Sequence, residues 1–218
     1  MMKRLPIPLL ISALGLFVLP PVLLALGLTM TSASEVVTFA LACMALNILV
    51  GHTGLVSFGH GAWFGLAAYA AALIQRNWWP DSFVGPTLLA LVIVAIIAAA
   101  FGYMILRRRG VYFSLLTLAL AAMLYAVAFR WTDVTGGENG LGGITRPKLL
   151  GFDLDDAMTY YWFVAIIALL VLIALWKFHR STVGSVLVAI RENEQRARFL
   201  GYPTNRYKLL AFVLSATV

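Results

Sequence analysis

The chain has 218 residues, of which 62% are hydrophobic and 11% are charged, and its mean hydropathy is +0.92. Roughly a quarter of the residues of a soluble domain are charged, so this composition excludes that class and indicates a membrane protein with several spans. The net charge of +7 does not indicate a nucleic-acid partner, because most basic residues flank apolar segments. The single cysteine, Cys43, cannot form an intrachain disulfide.

In chain order, four uncharged runs are suited to membrane helices of about 20 residues, namely 7–29, 87–106, 111–129 and 159–176. The first run is too long for a signal-peptide core of about 7–15 residues, so we expect an uncleaved span. Residues 209–218 begin a further apolar run that would rise only about 15 Å as a helix. We therefore expect the chain to be incomplete at its C-terminus.

Between the first two runs, residues 36–75 contain no Asp, Glu, Lys or Arg. They are numerous enough for two crossings of a core about 30 Å thick, but their middle, GHTGLVSFGHG at 51–61, is a poor helix interior. Either two spans meet there or a hairpin enters the membrane and returns. We predict an all-α polytopic membrane protein with about six complete transmembrane segments, the start of another, and a broken-helix region near the middle.

The basic residues predict the orientation of these spans. With the N-terminus inside, the inner segments 1–6, 107–109 and 177–208 hold twelve of the sixteen Lys and Arg residues, and the outer segments hold four. Because short inner loops are enriched in Lys and Arg, we predict a cytoplasmic N-terminus and a cytosolic segment at 177–208. The acidic, glycine-rich loop at 131–157 is then on the outer face.

Within the inner segment, residues 181–201 predict an amphipathic helix. Its apolar positions recur at helical spacing, and they are Val183, Leu187, Ile190, Ala197 and Leu200. Glu192 and Glu194 precede Arg196 and Arg198 by four residues, which favours a helix, and Gly201 predicts its end. We interpret this segment as a docking helix, and the alternative is an ordinary connector between two spans.

The glycine-rich middle region carries two further patterns. Five polar residues at or near membrane depth are candidates for a translocation path, as broken helices there often indicate: Asn47, His52, Thr53, Ser57 and His60. A stripe of small residues at helical spacing predicts close helix packing, and it consists of Gly61, Gly65, Ala68 and Ala72. Pure packing is the alternative explanation for the whole region.

The sequence carries no enzyme signature. The phosphate-binding pattern G-x-x-x-x-G-K-[ST] is absent, so the chain is not expected to hydrolyse ATP alone. Its three histidines do not form metal-ligand spacings with Cys, Asp or Glu. We expect no catalytic residue, metal or cofactor in this chain.

Four stretches in the same order resemble the permeases of branched-chain amino-acid ABC importers, specifically the LivM-like permeases. They are 51–69, 108–118, 131–144, and 181–201 together with 207–215. The resemblance implies one transmembrane permease domain over 1–218, within which 177–208 forms the cytosolic coupling loop. Residues of that loop match the family pattern A-I-R-E-N-E…G, and they are Ala189, Ile190, Arg191, Glu192, Glu194 and Gly201.

The resemblance also implies partners and a location. We expect a bacterial inner-membrane subunit that pairs with a second, homologous permease, sits on two cytosolic ABC ATPases that bind ATP and Mg, and receives substrate from a periplasmic binding protein. The loop at 135–144 would lie where that protein docks. Branched-chain amino acids are the expected substrates, and the alternatives are urea, short amides or other amino acids. A channel or scaffold that needs no ATPase is the alternative of a different class.

Overall fold

The computed structural model of the chain describes residues 7–108, 110–144, 146 and 153–218. Within these ranges the chain forms ten α-helices, a π-helical extension and a short 3-10 turn. The α-helices are α1 (Ile7–Ala25), α2 (Met30–Asn47), α3 (Gly61–Trp78), α4 (Val84–Ile105), α5 (Val111–Arg130), α6 (Thr132–Thr135), α7 (Ala157–His179), α8 (Thr182–Glu192), α9 (Glu194–Phe199) and α10 (Thr204–Thr217). The predicted all-α fold is confirmed over the described residues.

Five segments in the described part of the chain are long and apolar enough to cross a membrane. They are α1, α2 with its π-helical extension (Met30–Thr53), α4, α5 and α7. Four of them coincide with the four predicted runs, with ends shifted by up to four residues. The predicted count of about six is not supported, because α3 is not among the described helices that are long and apolar enough to cross a membrane.

The orientation of these spans was predicted partly from residues that the structure does not describe. Lys3, Arg4, Arg109 and Lys148 lie outside the described residues. The remaining basic residues of the inner segments are the pair before α5 and those of the segment that joins α7 to α10.

The first packed group joins α1, α2 and α7. Gly27 has a φ of 78°, which allows the tight turn between α1 and α2, and Thr29 then caps α2. Small buried residues of α2 pack against α7 around the fully buried Tyr161, whose hydroxyl donates to the Leu16 carbonyl in α1. Asp156 caps α7, and its hydrogen bond from the Thr159 amide lowers the pKa of the Asp156 carboxyl.

The second packed group joins α3, α4, α5 and α10. Four buried residues at four-residue intervals form one face of α4, which packs against α3 and α10, and they are Ala90, Val94, Ala98 and Gly102. A Cβ on Gly102 would lie 2.8 Å from Cδ1 of Phe212, so the two helices approach closely there. The Phe212 ring meets Trp63 of α3 and Phe113 of α5 edge to face. The α2 helix contacts both groups.

Candidate functional site

The α2 helix changes character near its end. From Ile48 to Thr53 the backbone is π-helical, and Gly54 then ends the helix with a φ of 69°. A π-helical turn inside an α-helix is rare and is often found at functional sites. The Thr53 hydroxyl is buried and donates a hydrogen bond to the Leu49 carbonyl inside the π-helical turn. The predicted broken helix is therefore present, and its break begins at Ile48.

After Gly54 the chain runs along α5 without forming a helix. The Ser114 hydroxyl donates to the Val56 carbonyl at 2.6 Å, and the Phe58 amide donates to Thr117 Oγ1 at 3.1 Å. Unpaired backbone groups are costly at membrane depth, and irregular backbone occurs there only where protein or water satisfies it. Two hydroxyl side chains of α5 supply those partners. A Cβ on Gly59 would lie 1.9 Å from the Thr117 carbonyl oxygen, so only glycine fits at that position.

The non-helical segment ends at His60, which contacts α10. His60 Nε2 lies 3.1 Å from the Ser215 carbonyl oxygen, and the Ser215 hydroxyl donates to the Ala45 carbonyl of α2. Two buried polar atoms of the segment, Ser57 Oγ and His60 Nδ1, have no hydrogen-bond partner among the described residues. Unsatisfied buried polar atoms are uncommon in folded proteins and call for an explanation.

The five candidate path residues fall into two groups. Asn47, His52 and Thr53 lie at the π-helical end of α2, where His52 Nε2 is 2.6 Å from Nδ1 of His179 in α7. Ser57 and His60 lie in the segment that runs along α5, and His60 lines a cavity of about 430 Å³ between α2, α3 and α10. Their role in translocation stays a prediction.

The small residues at the start of α3 line an open cleft. A Cβ on Gly61 or Gly65 would meet no atom within 4 Å, and both glycines line a cleft of about 520 Å³ between α3 and α5. Ala68 lines the neighbouring cavity near α10, and Ala72 is half-buried. Within the described chain no helix fills the cleft beside these two glycines, and the packing role of the stripe stays a prediction.

The segment predicted as one amphipathic helix is two helices. Asn193 adopts an extended conformation between α8 and α9, and its side chain accepts a hydrogen bond from the Arg196 amide at 2.9 Å. Asparagine is a preferred N-cap, which explains why the chain breaks there. The predicted end is confirmed, because Gly201 has a φ of 88° and its amide donates to the Arg198 carbonyl.

The buried face of this α8–α9 loop is largely the predicted one. Leu187, Ile190 and Ala197 are buried, and Val183 is half-buried against the α4–α10 core. The prediction was wrong for Leu200, which is 71% exposed and follows the last residue of α9.

Arg191 of the α8–α9 loop is directed toward the broken end of α2. Its Nη1 donates to the Gly51 carbonyl, and its Cγ lies 2.9 Å from where a Cβ of Gly54 would be. A cation at the C-terminal end of a helix stabilises the carbonyls that have no intrahelical partner. The exposed Glu192 carboxylate pairs with the same guanidinium, with 2.7 Å between Glu192 Oε1 and Arg191 Nη2. Two motifs that are 140 residues apart in the chain therefore form one contact.

Glu194 is directed inward as well. Its Oε1 atom lies 2.9 Å from Lys208 Nζ and 3.0 Å from Arg198 Nη2, and it accepts a hydrogen bond from the Thr204 hydroxyl at 3.2 Å. The predicted pair of Glu194 with Arg198 is thus present, whereas Glu192 pairs with Arg191. Of the six predicted coupling residues, Ala189, Arg191 and Glu192 are exposed, Glu194 is half-buried, Ile190 is buried, and Gly201 follows the end of α9 with a positive φ.

The sequence interpretation missed the partners of these residues. Ser114, Thr117, Lys208 and Ser215 were not singled out, although each holds a broken or charged segment in place. A signal existed for Lys208, because a charge at the start of an apolar run requires a partner. The contacts of the hydroxyl residues depend on the three-dimensional fold, and no local pattern indicates them.

These features define a multi-pass, all-α membrane protein in which a broken helix contacts an amphipathic loop between two later helices. A family model described as the permease component of the branched-chain amino acid transport system matches residues 28–218. The chain belongs to this family.

Curated relatives of the chain are also permeases. It is 28% identical over 236 residues to the high-affinity branched-chain amino acid transport system permease protein LivM of Escherichia coli K12, covering 95% of this chain and 54% of the relative. It is 30% identical over 200 residues to LivM of Salmonella typhimurium LT2, covering 79% and 46%. The autoinducer 2 import system permease protein LsrC of Enterobacter sp. 638 is 29% identical over 195 residues, covering 87% and 52%.

The chain spans about half the length of the curated relatives it matches. No solved structure matches it.

Proposed function

We propose that the chain is the transmembrane permease subunit of an ATP-driven importer in the bacterial inner membrane. The observation that carries the proposal is the α8–α9 loop, which presents exposed Ala189 and Glu192 outward while Arg191 and Glu194 bind it to α2 and α10. A loop attached in this way can pass the movement of a partner to the spans as a rigid-body shift. Membership of a permease family supports the same conclusion.

The partners in this proposal are those that membership of the permease family implies. A second, homologous permease completes the pathway, two cytosolic ABC ATPases bind ATP and Mg, and a periplasmic binding protein delivers the substrate. The exposed part of the α8–α9 loop docks on an ATPase. We further propose that α3 is a sixth crossing, because five crossings would leave the N-terminus and the α8–α9 loop on opposite faces, whereas both are predicted to be cytosolic. The cleft beside Gly61 and Gly65 then faces lipid or the second permease.

Branched-chain amino acids are the proposed substrates. Two relatives are named for the transport of branched-chain amino acids, and a third is named for the import of autoinducer 2. The names of these relatives therefore differ in substrate, so urea, short amides and other amino acids are the rival cargoes. Ser57 Oγ and His60 Nδ1 have no hydrogen-bond partner among the described residues, which supports a polar path beside α5 and α10.

Uptake of labelled solutes tests this proposal. Cells that carry the gene with its neighbours should accumulate labelled leucine, isoleucine and valine in an ATP-dependent manner, and cells without it should not. Accumulation of urea in place of leucine would assign the rival substrate. Uptake that persists without ATP, or a purified chain that brings no ATPase with it, would favour a channel or scaffold.

Cysteine labelling tests the orientation. On a Cys43-free background, single cysteines at Asp133, Glu138 or Asp153 should react with an impermeant reagent in intact cells. Cysteines at His179, Arg191 or Arg206 should react only after the membrane is opened. The opposite pattern would contradict a cytoplasmic N-terminus.

A further inference from the structure

Lys208 is a buried cation whose counter-charge comes from another helix. It lies on α10, is 2% exposed, and its Nζ is 2.9 Å from Glu194 Oε1 in α9. Taking an ammonium group out of water is costly unless a carboxylate pairs with it and further hydrogen bonds complete the site. Arg198 and Thr204 complete this one by bonding to the same oxygen and to each other. The four side chains form a cluster between α9 and the first turns of α10.

The α8–α9 loop is attached at its other side to α2. Arg191 binds the Gly51 carbonyl at the broken end of that helix. Between the two attachments, the buried Val186, Ile190 and Ala197 pack together beneath the loop with Tyr207 of α10. The loop is therefore fixed to α2 and α10 by polar contacts and to α10 by an apolar contact as well.

The same two helices meet again deeper in the protein. The Ser215 hydroxyl of α10 donates to the Ala45 carbonyl of α2, and the Ser215 carbonyl contacts His60. A displacement of α10 along its axis would therefore reach the end of the non-helical segment, where Ser57 Oγ and His60 Nδ1 have no partner in the described part of the chain.

We infer that Glu194 and Lys208 are positioning residues that bind the α8–α9 loop to α10, so that a displacement of the loop moves α10 with it. This inference rests on the proposed function for the source of the displacement. It assigns the two acidic residues of the loop different roles. Glu192 is exposed and available to a partner, whereas Glu194 acts inside the chain through Lys208.

Hydrogen exchange of the full chain in lipid nanodiscs tests the attachment without any assumption about transport. Glu194→Gln leaves the Lys208 charge without its counter-charge, so amides of α9 and the first turn of α10 should exchange about tenfold faster or more. Two exposed controls, Glu192→Gln and Arg206→Gln, should leave their exchange unchanged. The double variant Glu194→Gln with Lys208→Met removes both charges and should restore protection. Unchanged exchange in Glu194→Gln, or no rescue in the double variant, would overturn the attachment.

Coupling is tested on the complex purified from cells that carry the gene with its neighbours. The measurement is leucine-stimulated ATP hydrolysis together with leucine uptake after reconstitution. Glu194→Gln should retain its ATPase subunits and its basal hydrolysis while losing most of the stimulation, with Arg206→Gln as the matched control and rescue by the double variant. Faster exchange with normal stimulation would overturn transmission. If the wild-type complex hydrolyses no ATP, the proposed function and the transmission step both fail, and the exchange result still decides the attachment.

Discussion

The α4–α10 interface and the α3–α5 cleft are both lined by small residues, but only the first is closed. On α4, Gly102 lies so close to Phe212 that a methyl group would contact the ring at 2.8 Å. On α3, Gly61 and Gly65 have open space around them. A small residue therefore permits close approach without producing it, and a second helix must be present to use the space. The two faces differ because α10 covers one of them within this chain.

The largest expected effect on stability is at Gly59, because there the backbone of the non-helical segment lies directly against the backbone of α5. Gly59→Ala places a Cβ 1.9 Å from the Thr117 carbonyl oxygen, and neither the segment nor α5 can yield without losing hydrogen bonds. We expect a destabilisation of about 3 kcal/mol or more, measured as a lower apparent Tm and folded yield in detergent. Gly61→Ala, two residues away in open space, is the matched control. Equal behaviour of the two variants would contradict the described position of the segment.

A smaller loss is expected when α4 and α10 are forced apart. Gly102→Leu would push against the side chains of Leu209 and Phe212 and not against backbone, so the expected cost is about 1–3 kcal/mol. Gly65→Leu makes the same change on the open face and should leave the apparent Tm of the isolated chain unaltered. The comparison fails if the α3 variant is the less stable of the two.

Thr117 allows a test of the polar contacts between α5 and the non-helical segment at 54–60. Thr117→Val keeps the shape but leaves the Phe58 amide without its partner, which should cost about 1–2 kcal/mol. Thr117→Ser keeps the hydroxyl and should be close to wild type. The measurement is again the apparent Tm, and a Val variant as stable as the Ser variant would show that water replaces the hydroxyl.

Gly61→Leu and Gly65→Leu should have the smallest effect on the stability of the isolated chain. Their effect on assembly of the complex is the most informative test of the open face. If a helix of the second permease subunit enters the cleft between α3 and α5, either variant should reduce recovery of the complex while the isolated chain remains stable. Assembly should fall before substrate selectivity changes. Variants that assemble and transport normally would show that the stripe faces lipid.

Periodicity and hydropathy predicted the elements that depend on local sequence. The runs that became α4, α5 and α7 were located within a few residues, because an apolar stretch of that length between polar turns has few alternatives. The break at Asn193 was missed because the apolar positions of α8 and α9 still follow one helical period across it. A capping side chain there outweighs the period of the pattern.

Contacts between distant segments could not be predicted in this way. Glu194 was assigned to the coupling loop because it matches the family pattern, yet its carboxylate binds Lys208 in the next helix. Gly61 and Gly65 were singled out from their spacing, whereas the close approach that the structure shows is at Gly102. In both cases the deciding information is which element lies opposite, and the sequence of one segment does not contain it.

The contact between Gly54 and Arg191 constrains how this family can diverge. Gly54 has a positive φ and has the Arg191 side chain against it, so any larger residue at position 54 requires a shorter one at position 191. The Gly51 carbonyl requires a donor from that same side chain. Substitutions at these positions should therefore be inherited together, and an exchange of the loop alone between two permeases should fail unless the matching turn of α2 is exchanged with it.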